Sequence, residues 1–193
     1  MFPVFRSQLQ GELLAQTLLQ PDREQSLTML ATRLDASVAT VQREVARLEK
    51  AGLLQSHRIG NTRLVKADTT SEVYDPLAQL VLRAFGPIQV VAEEFAHISE
   101  IDELFVFGSW AARYQGIAGS PPADVDVLVI GRPNRDVVYE AALRAEHRLG
   151  RAVNTTIRTP EKWERREEGF IKHLRSSPLV PVLRRPKSRK AHQ

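Results

Sequence analysis

Cysteine is absent from this chain of 193 residues, and its absence excludes disulfide bonds and every metal site that is built from thiolates. The five histidines, at positions 57, 97, 147, 173 and 192, are scattered without the short spacings that metal ligands show. We therefore expect no zinc site, and we interpret each histidine as a surface residue or a satisfied core residue.

Long apolar runs are missing, and aromatic residues are few. No segment approaches the ~20 apolar residues that a membrane-spanning helix needs, and the opening residues, MFPVFR, lack the layout of a signal peptide. Aromatic residues make up 6% of the chain and hydrophobic residues 42%, which is ordinary for a soluble globular protein. The composition predicts a cytoplasmic protein with no membrane partner and with room for one large or two small domains.

Positive charge is present but unevenly distributed. The net charge is only +4, yet residues 37–66 carry six basic residues against two acidic ones. A second basic run lies near the end of the chain and predicts a disordered tail, which serves either solubility or non-specific phosphate contact. This run comprises Arg184, Arg185, Lys187, Arg189 and Lys190.

Three apolar stripes at helical spacing open the chain. The first covers residues 4–19 and ends before Pro21, and the second runs from Ser26 to Leu34. The third follows Ser37, a residue type that is preferred as a helix N-cap. A short turn between the second and third helices is the layout of a helix-turn-helix, whose second helix enters the major groove of DNA.

A β-hairpin follows the third helix. Gly52 is placed to end that helix, and two strands over residues 53–59 and 62–66 are joined by Gly60-Asn61. This hairpin and the preceding segment, LEKAGLL, resemble the winged helix-turn-helix domains of bacterial regulators of the arsenic-repressor type. The resemblance implies double-stranded DNA as a partner, although the chain lacks the cysteines and clustered histidines of the metal-sensing members.

The same resemblance assigns two groups of DNA contacts. Residues near the start of the third helix face base edges, namely Ser37, Ala39, Thr40, Gln42 and Arg43. Later residues contact phosphates or the minor groove, namely Arg47, Arg58, Asn61, Arg63 and Lys66. The alternative is that these charged side chains only solvate the helix and the hairpin.

A connector of two apolar helical stripes joins the halves of the chain. The stripes are separated by Gly86-Pro87, where proline interrupts a helix. The stripe over residues 77–84 is a candidate face for a homodimer, because regulators with this N-terminal layout often dimerise beside the winged domain. Packing against the first helix is the alternative role for this stripe.

The second half contains a glycine-serine step that is followed by two aspartates. Residues 104–107 are apolar enough for a buried strand, Gly108 allows close backbone approach, and Ser109 is placed to begin a helix whose free N–H groups attract phosphate. Asp124 and Asp126 alternate with valines in the next strand, so both carboxylates point to one face. Such a pair is costly unless a cation joins the two carboxylates.

Over residues 86–175 these motifs resemble the polymerase β-like nucleotidyltransferase superfamily. The resemblance implies Mg²⁺ or Mn²⁺ with a nucleoside triphosphate as cofactors and Asp124 and Asp126 as the metal-binding, catalytic acids. It further implies nucleotide contacts from Gly108, Ser109, Arg113 and Asn154. Trp110 and Tyr114 stack on a base or, as the alternative, belong to the core.

The chain departs from this superfamily at the third carboxylate. The strand over residues 152–157 carries Asn154 where the pattern has an acid, and asparagine cannot accept a proton. The alternative is that the strand register differs and that Glu161 or another acid supplies the third carboxylate. Nucleotide binding is therefore expected to survive better than turnover, and whether the domain is an enzyme stays open. A later helix begins at Pro160, with Trp163 and Phe170 as candidates to pack on the sheet.

Together these features predict a two-domain chain of the α+β or α/β class. Its function is predicted to be transcription regulation by DNA binding, with a nucleotide- and magnesium-binding domain of weak or absent activity. The alternative is an active nucleotidyltransferase, possibly antitoxin-like, that transfers a nucleotide to a small molecule or a protein. The predicted parts are a winged helix domain (1–70), a helical connector (71–100), a small mixed-sheet nucleotidyltransferase-like domain (101–178) and a basic tail (179–193).

Overall fold

The computed structural model describes residues 4–117, 119–165, 169, 174 and 176–185. Contacts within the chain divide it into two compact units. The N-terminal unit extends to Gly86 and also takes in His147–Gly150, and the C-terminal unit comprises Pro87–Glu146 and the chain from Arg151 onward. The predicted connector over residues 71–100 is therefore not a separate part, because it is divided between the units at Gly86.

The N-terminal unit combines helices with a small antiparallel sheet. Its helices are α1 (Gln8–Leu18), α2 (Leu27–Arg33), α3 (Val38–Lys50) and α4 (Tyr74–Phe85). Its strands are β1 (Gln25–Ser26), β2 (Leu54–Ile59) and β3 (Thr62–Ala67), in the order β1-β3-β2. Strands β2 and β3 form a hairpin around Gly60, whose φ of 57° lies in the left-handed region that glycine adopts without strain. The three predicted helices and the predicted hairpin are therefore present, in the predicted order.

Serine side chains fix where α2 and α3 begin. Ser26 Oγ accepts a hydrogen bond from the Met29 N–H at 3.1 Å, and Ser37 Oγ accepts one from the Thr40 N–H at 3.1 Å. Each bond satisfies an N–H group of a first helical turn, which otherwise has no partner within the helix. The start of α3, predicted from Ser37, is therefore confirmed.

Helix α4 packs against α1 and uses the apolar stripe over residues 77–84. Val81 on this stripe is fully buried, and Leu77 and Leu80 are partly buried against the same core. The Phe85 ring lies so close to Gly11 that an added Cβ on that glycine would stand 2.0 Å from Phe85 Cζ. Of the two roles predicted for the stripe, the structure shows core packing, and the homodimer face stays a prediction.

The C-terminal unit is built around a mixed sheet. Its helices are α5 (Pro87–Phe95), α6 (Gly108–Tyr114), α7 (Arg135–Leu149), of which the part from His147 onward is assigned to the N-terminal unit, and α8 (Pro160–Arg165). Its strands are β4 (Ile101–Phe107), β5 (Asp124–Gly131), β6 (Ala152–Arg158) and β7 (Leu179–Arg184), in the order β6-β5-β4-β7. Strand β5 runs parallel to β6 and antiparallel to β4, and β4 pairs antiparallel with β7. Within the ranges that the structure describes, no helix has both the length and the apolar character that crossing a membrane requires.

Strand β7 corrects the predicted start of the basic tail. Residues 179–184 pair with β4, from Phe107 opposite Leu179 to Glu103 opposite Arg184. Leucine and valine supply most of this strand, so it has the apolar character of a sheet segment even though it ends on Arg184 and basic residues follow. Residues 186–193 of the predicted tail lie outside the described residues, and so does Phe170.

Trp163 on α8 packs on the sheet, as the sequence predicts. Its ring centroid lies 5.8 Å from that of Phe105 on β4, and both residues are buried. Leu128 and Ile130 on β5 complete this apolar cluster. By the alternation of β5, Leu128 and Ile130 lie on the same face of the sheet as Asp124 and Asp126, so this apolar cluster continues the face that carries the two carboxylates.

Candidate functional site

The first candidate site is the polar face of α3. Gln42 and Arg43 are exposed, whereas Val41 and Val45 on the opposite face are fully buried. The Arg43 side chain donates to Ala39 O at 3.3 Å and to Thr40 Oγ1 at 3.4 Å, so its contacts stay within its own helix. A polar face of this kind, on the second helix of a helix-turn-helix, suits contact with base edges.

Arg47 is less free than Arg43, because it shares a buried carboxylate. Glu44 has a side-chain exposure of only 8%, and it pairs with Arg47 at 3.3 Å and with Arg6 of the N-terminal segment. The negative charge of Glu44 compensates part of the positive charge of both arginines. The sequence marks Glu44 only as a counter-charge in a basic region and does not predict that Arg6 joins it.

The outer end of the hairpin carries Arg58 and Asn61, which are both exposed. Arg58 stands opposite Arg63 in the register of β2 and β3. Within the described part of the chain, no acidic side chain pairs with Arg58. Its charge is therefore available to an external anion.

Arg63 and Lys66, the other predicted cations of the hairpin, are held by acids of the same unit. Arg63 pairs with Glu49 on α3, and Lys66 Nζ lies 3.5 Å from Glu24 Oε1. Glu24 also lies 3.6 Å from His57 Nε2. The structure therefore separates two predicted phosphate contacts, Arg63 and Lys66, from Arg58, which the same prediction had grouped with them.

The second candidate site is an acid cluster, which we define as Asp124, Asp126 and Asn154. Asp126 on β5 pairs in register with Asn154 on the parallel strand β6. Asn154 Nδ2 donates to Asp124 Oδ2 at 2.8 Å and reaches Asp126 Oδ1 at 3.5 Å. Both carboxylates therefore lie on one face of the sheet, as the alternation in β5 predicts, and the amide of Asn154 stands beside them.

The environment of the cluster disfavours the charge on Asp126. Burial and, secondarily, the neighbouring Asp124 carboxylate raise the pKa of Asp126 above its ordinary value of 3.8, and the hydrogen bond from Asn154 opposes this rise. A cation bound between the two carboxylates would stabilise their ionised forms, because its attraction to each outweighs their mutual repulsion.

Gly108 brings the α6 backbone up to this cluster. Its φ is 70°, and a Cβ at this position would stand 2.9 Å from Asp126 Oδ2, so both conformation and space favour glycine. Ser109 does not cap α6, because the helix already begins at Gly108 and Phe107 precedes it as a cap without a side-chain bond. Arg113 lies in the last turn of α6 and is half-buried.

Glu161 does not supply the missing acid. Its carboxylate is not part of the acid cluster. Glu161 Oε2 instead pairs with Arg132 Nη2 at 2.9 Å. The pairing of Ile130 with Arg158 places this end of β6 four residues beyond Asn154, which is about 13 Å along a strand. Within the described ranges no group of three or more acidic, histidine or cysteine side chains is arranged to hold a metal.

Trp110 is a core residue and not a platform for a base. Its relative exposure is 4%, and the Arg151 guanidinium covers its ring at 4.8 Å from the ring centroid. The Oη atom of Tyr114 accepts a hydrogen bond from the Ile88 N–H at 3.2 Å. Of the two roles predicted for Trp110, the structure shows the core role, since neighbouring groups already cover its ring.

The donor set of the acid cluster fits magnesium better than a softer metal. Carboxylate and amide oxygens are hard ligands, and magnesium in proteins is often held by one or two carboxylates together with the phosphates of a nucleotide. Asp124 and Asp126 would hold the ion, and Asn154 would add an amide oxygen after rotating its side chain.

Comparisons with known proteins yield little for this chain. No protein-family model matches it, and no curated protein is similar to it. Among the solved structures that are similar to this chain is one titled reduced HlyU from Vibrio cholerae N16961, which is similar over 41% of this chain and 78% of its own, with 20% sequence identity and a TM-score of 0.35.

Proposed function

We propose that this protein is a DNA-binding transcription regulator. The observation that carries this proposal is the pairing, in one unit, of a helix-turn-helix whose α3 has a polar outer face with a hairpin whose exposed end carries Arg58. The first element suits a major groove, and the second suits a neighbouring phosphate or minor groove. Double-stranded DNA is therefore the proposed partner of the N-terminal unit.

The residues proposed to contact DNA fall into two groups, those whose side chains already pair with an acid of the protein and those whose side chains do not. Base edges face the residues Ser37, Thr40, Gln42 and Arg43, and phosphates face Arg58 and Asn61 at the hairpin end. Arg47 shares the buried Glu44 and contributes a smaller share of phosphate attraction. A homodimer that reads two half-sites is compatible with this arrangement and is part of the proposal, although the stripe over residues 77–84 is used for core packing.

Arg58→Ala tests the proposed hairpin contact. We expect weaker binding to every DNA sequence by a similar factor and a salt dependence shallower by about 0.9 in log–log slope, because one phosphate contact is lost. Fluorescence anisotropy over a salt series measures both, with a duplex from upstream of the coding region and an unrelated duplex. Arg83→Ala, which removes an exposed cation from α4, is the matched control. An Arg58→Ala slope equal to that of Arg83→Ala contradicts the contact.

For the C-terminal unit we propose binding of a magnesium-bound nucleoside triphosphate with weak or absent transfer activity. The support is the acid cluster beside Gly108, where two carboxylates and close backbone approach meet. When bound, magnesium would neutralise phosphate and carboxylate charge. Asn154 orients toward both acids but cannot take a proton, so the acid cluster itself contains no third carboxylate to ionise an attacking hydroxyl.

An active nucleotidyltransferase is the second candidate, and one observation favours it. Asp124 and Asp126 lie on one face of the sheet, where both are reached by the amide of Asn154, and paired carboxylates of this kind suit the metal ions of a transfer reaction. Incubation with radiolabelled ATP and magnesium or manganese tests it. We expect little or no labelled product or released pyrophosphate. Clear turnover in the natural protein that Asp124→Ala abolishes would establish the enzyme instead.

A further inference from the structure

Glu49, near the end of α3, connects this helix to both strands of the hairpin. One oxygen of its carboxylate pairs with Arg63 Nη2 on β3, and the other accepts a hydrogen bond from Ser56 Oγ on β2. Arg63 Nε closes the ring by donating to Ser56 Oγ at 2.9 Å. The side chains of Glu49 and Arg63 are only 22% and 24% exposed. We call Glu49, Ser56 and Arg63 the hairpin brace.

The alternation of the hairpin explains why Arg63 belongs to this brace. Residues opposite each other in an antiparallel pair share a face, and Arg63 is on the same face of β3 as Val65 and Ala67. Val65 and Ala67 are buried, at 0% and 1% exposure. Arg63 therefore extends the inward face of the hairpin toward α3.

The brace lies where the hairpin leaves the core. Leu54 is buried, but every later residue of β2, from Gln55 to Ile59, is exposed. On the other side of the hairpin, β1 pairs with β3 at Leu64 and Val65, and Glu24 contacts His57 and Lys66. The link to α3 itself is supplied by the brace, and a ribbon without such links is marginally stable. The link to Glu49 places Arg58 at a defined distance from the polar face of α3.

We propose that Glu49 and Arg63 are positioning residues for DNA binding, and that Arg63 is not a phosphate contact. This inference rests on the proposed function of the N-terminal unit. Through the brace, α3 and the end of the hairpin are held in the relative position in which both reach one duplex. The loss of the brace costs affinity because that position must then be ordered on binding.

The two possible roles of Arg63 predict opposite effects of Glu49→Gln. If Arg63 contacts phosphate, Glu49 competes with DNA for it, and the loss of this negative charge tightens binding. If Glu49 holds the hairpin in place, the same substitution weakens binding. The sign of the change therefore separates the roles.

The experiment uses the full chain and a short fluorescein-labelled duplex of mixed sequence, with anisotropy read over a salt series. We expect Glu49→Gln and Arg63→Gln each to weaken binding by about threefold to tenfold, with a salt slope within experimental error of the natural protein. The double variant should be no weaker than the weaker single variant, because both changes break one brace. Glu72→Gln removes an exposed acid without a brace and is the charge-matched control.

Ser56→Ala gives a second test without any change in charge. It removes one member of the brace and should weaken binding in the same direction, while thermal melting confirms that each variant is folded. Tighter binding by Glu49→Gln than by Glu72→Gln, or a slope for Arg63→Gln that is shallower by about 0.9, would overturn the brace while leaving DNA binding intact. If the natural protein binds no duplex at low salt, the proposed function fails and the inference fails with it.

Discussion

The substitution Asp126→Ala is expected to abolish magnesium-dependent binding of ATP by this protein without unfolding it. The proposed affinity is at best micromolar to millimolar, and loss of one of two carboxylate ligands should lower it by at least ~100-fold, beyond detection. Asp126 also stands closest to the backbone at Gly108, where its Oδ2 would be 2.9 Å from an added Cβ. Its loss therefore removes the carboxylate nearest to the start of α6.

Retention of the fold is expected for a physical reason. Asp126 is partly buried beside Asp124, so its ionised form is disfavoured in the folded protein. A functional residue can lower the stability of the protein when no cation is bound. Its replacement then makes the cation-free protein more stable. Calorimetry with Mg-ATP and thermal melting measure the two effects together.

The matched control is Glu140→Ala, which removes an exposed carboxylate from α7 in the same unit. Binding by this variant should equal that of the natural protein. Equal magnesium-dependent heats from Asp126→Ala and Glu140→Ala would show that the acid cluster is not the nucleotide site. No magnesium-dependent heat from the natural protein, with any nucleotide, would end the proposal for the C-terminal unit.

The same carboxyl gives the stability a defined pH dependence. Because the folded-state pKa of Asp126 is raised above 3.8, the folded protein holds this proton more tightly than the unfolded chain does. Its contribution to stability therefore falls as pH rises from 3.8 through the folded-state pKa, and it is constant above that value. In Asp126→Asn this contribution disappears, so the advantage in melting temperature over the natural protein should grow across that range. An advantage that shrinks as pH rises contradicts the assignment.

Gly131→Ala is expected to cost about 3 kcal/mol or more, a large part of the roughly 5–15 kcal/mol that stabilises a typical domain. Gly131 has a φ of 148°, and an added Cβ would stand 2.1 Å from the backbone oxygen of Glu100. That oxygen accepts the Arg132 N–H at 2.9 Å, so it cannot move away without breaking a second contact. Chemical denaturation measures the loss.

Gly119→Ala is the control for this substitution. No heavy atom lies within 4 Å of a Cβ at position 119, and its φ is outside the left-handed region. The same chemical change should therefore alter stability by less than about 0.5 kcal/mol. Similar midpoints for the two variants would show that the crowding at Gly131 is relieved by a backbone shift.

Local sequence signals were sufficient for the elements that depend on neighbouring residues. Ser37 marks the start of α3, and the helix ends just before Gly52, whose φ of 68° suits a helix terminus. Gly60 marks the hairpin turn in the same way. Helix caps and tight turns depend on interactions between residues a few positions apart. The local sequence is therefore enough to predict them.

Segments whose structure depends on distant partners were predicted less well. The basic run from Arg184 predicts a tail over residues 179–193, yet residues 179–184 form β7 through pairing with β4, more than seventy residues earlier in the chain. The short strand β1 is similar, since its two residues pair with β3 and carry no strand pattern of their own. A strand of this kind is defined by its hydrogen-bonding partner and not by its own periodicity.

The amino-acid sequence by itself determined the helix-turn-helix, the hairpin and the common face of Asp124 and Asp126, because each follows from side-chain period and turn chemistry. The tertiary structure alone decided which cations remain available. It joined Arg63 to Glu49 and Lys66 to Glu24 while leaving Arg58 without an acid in the described residues. An ion pair depends on where two separate segments come to lie, and that position is set by the register of the strands and the packing of the helices beneath them.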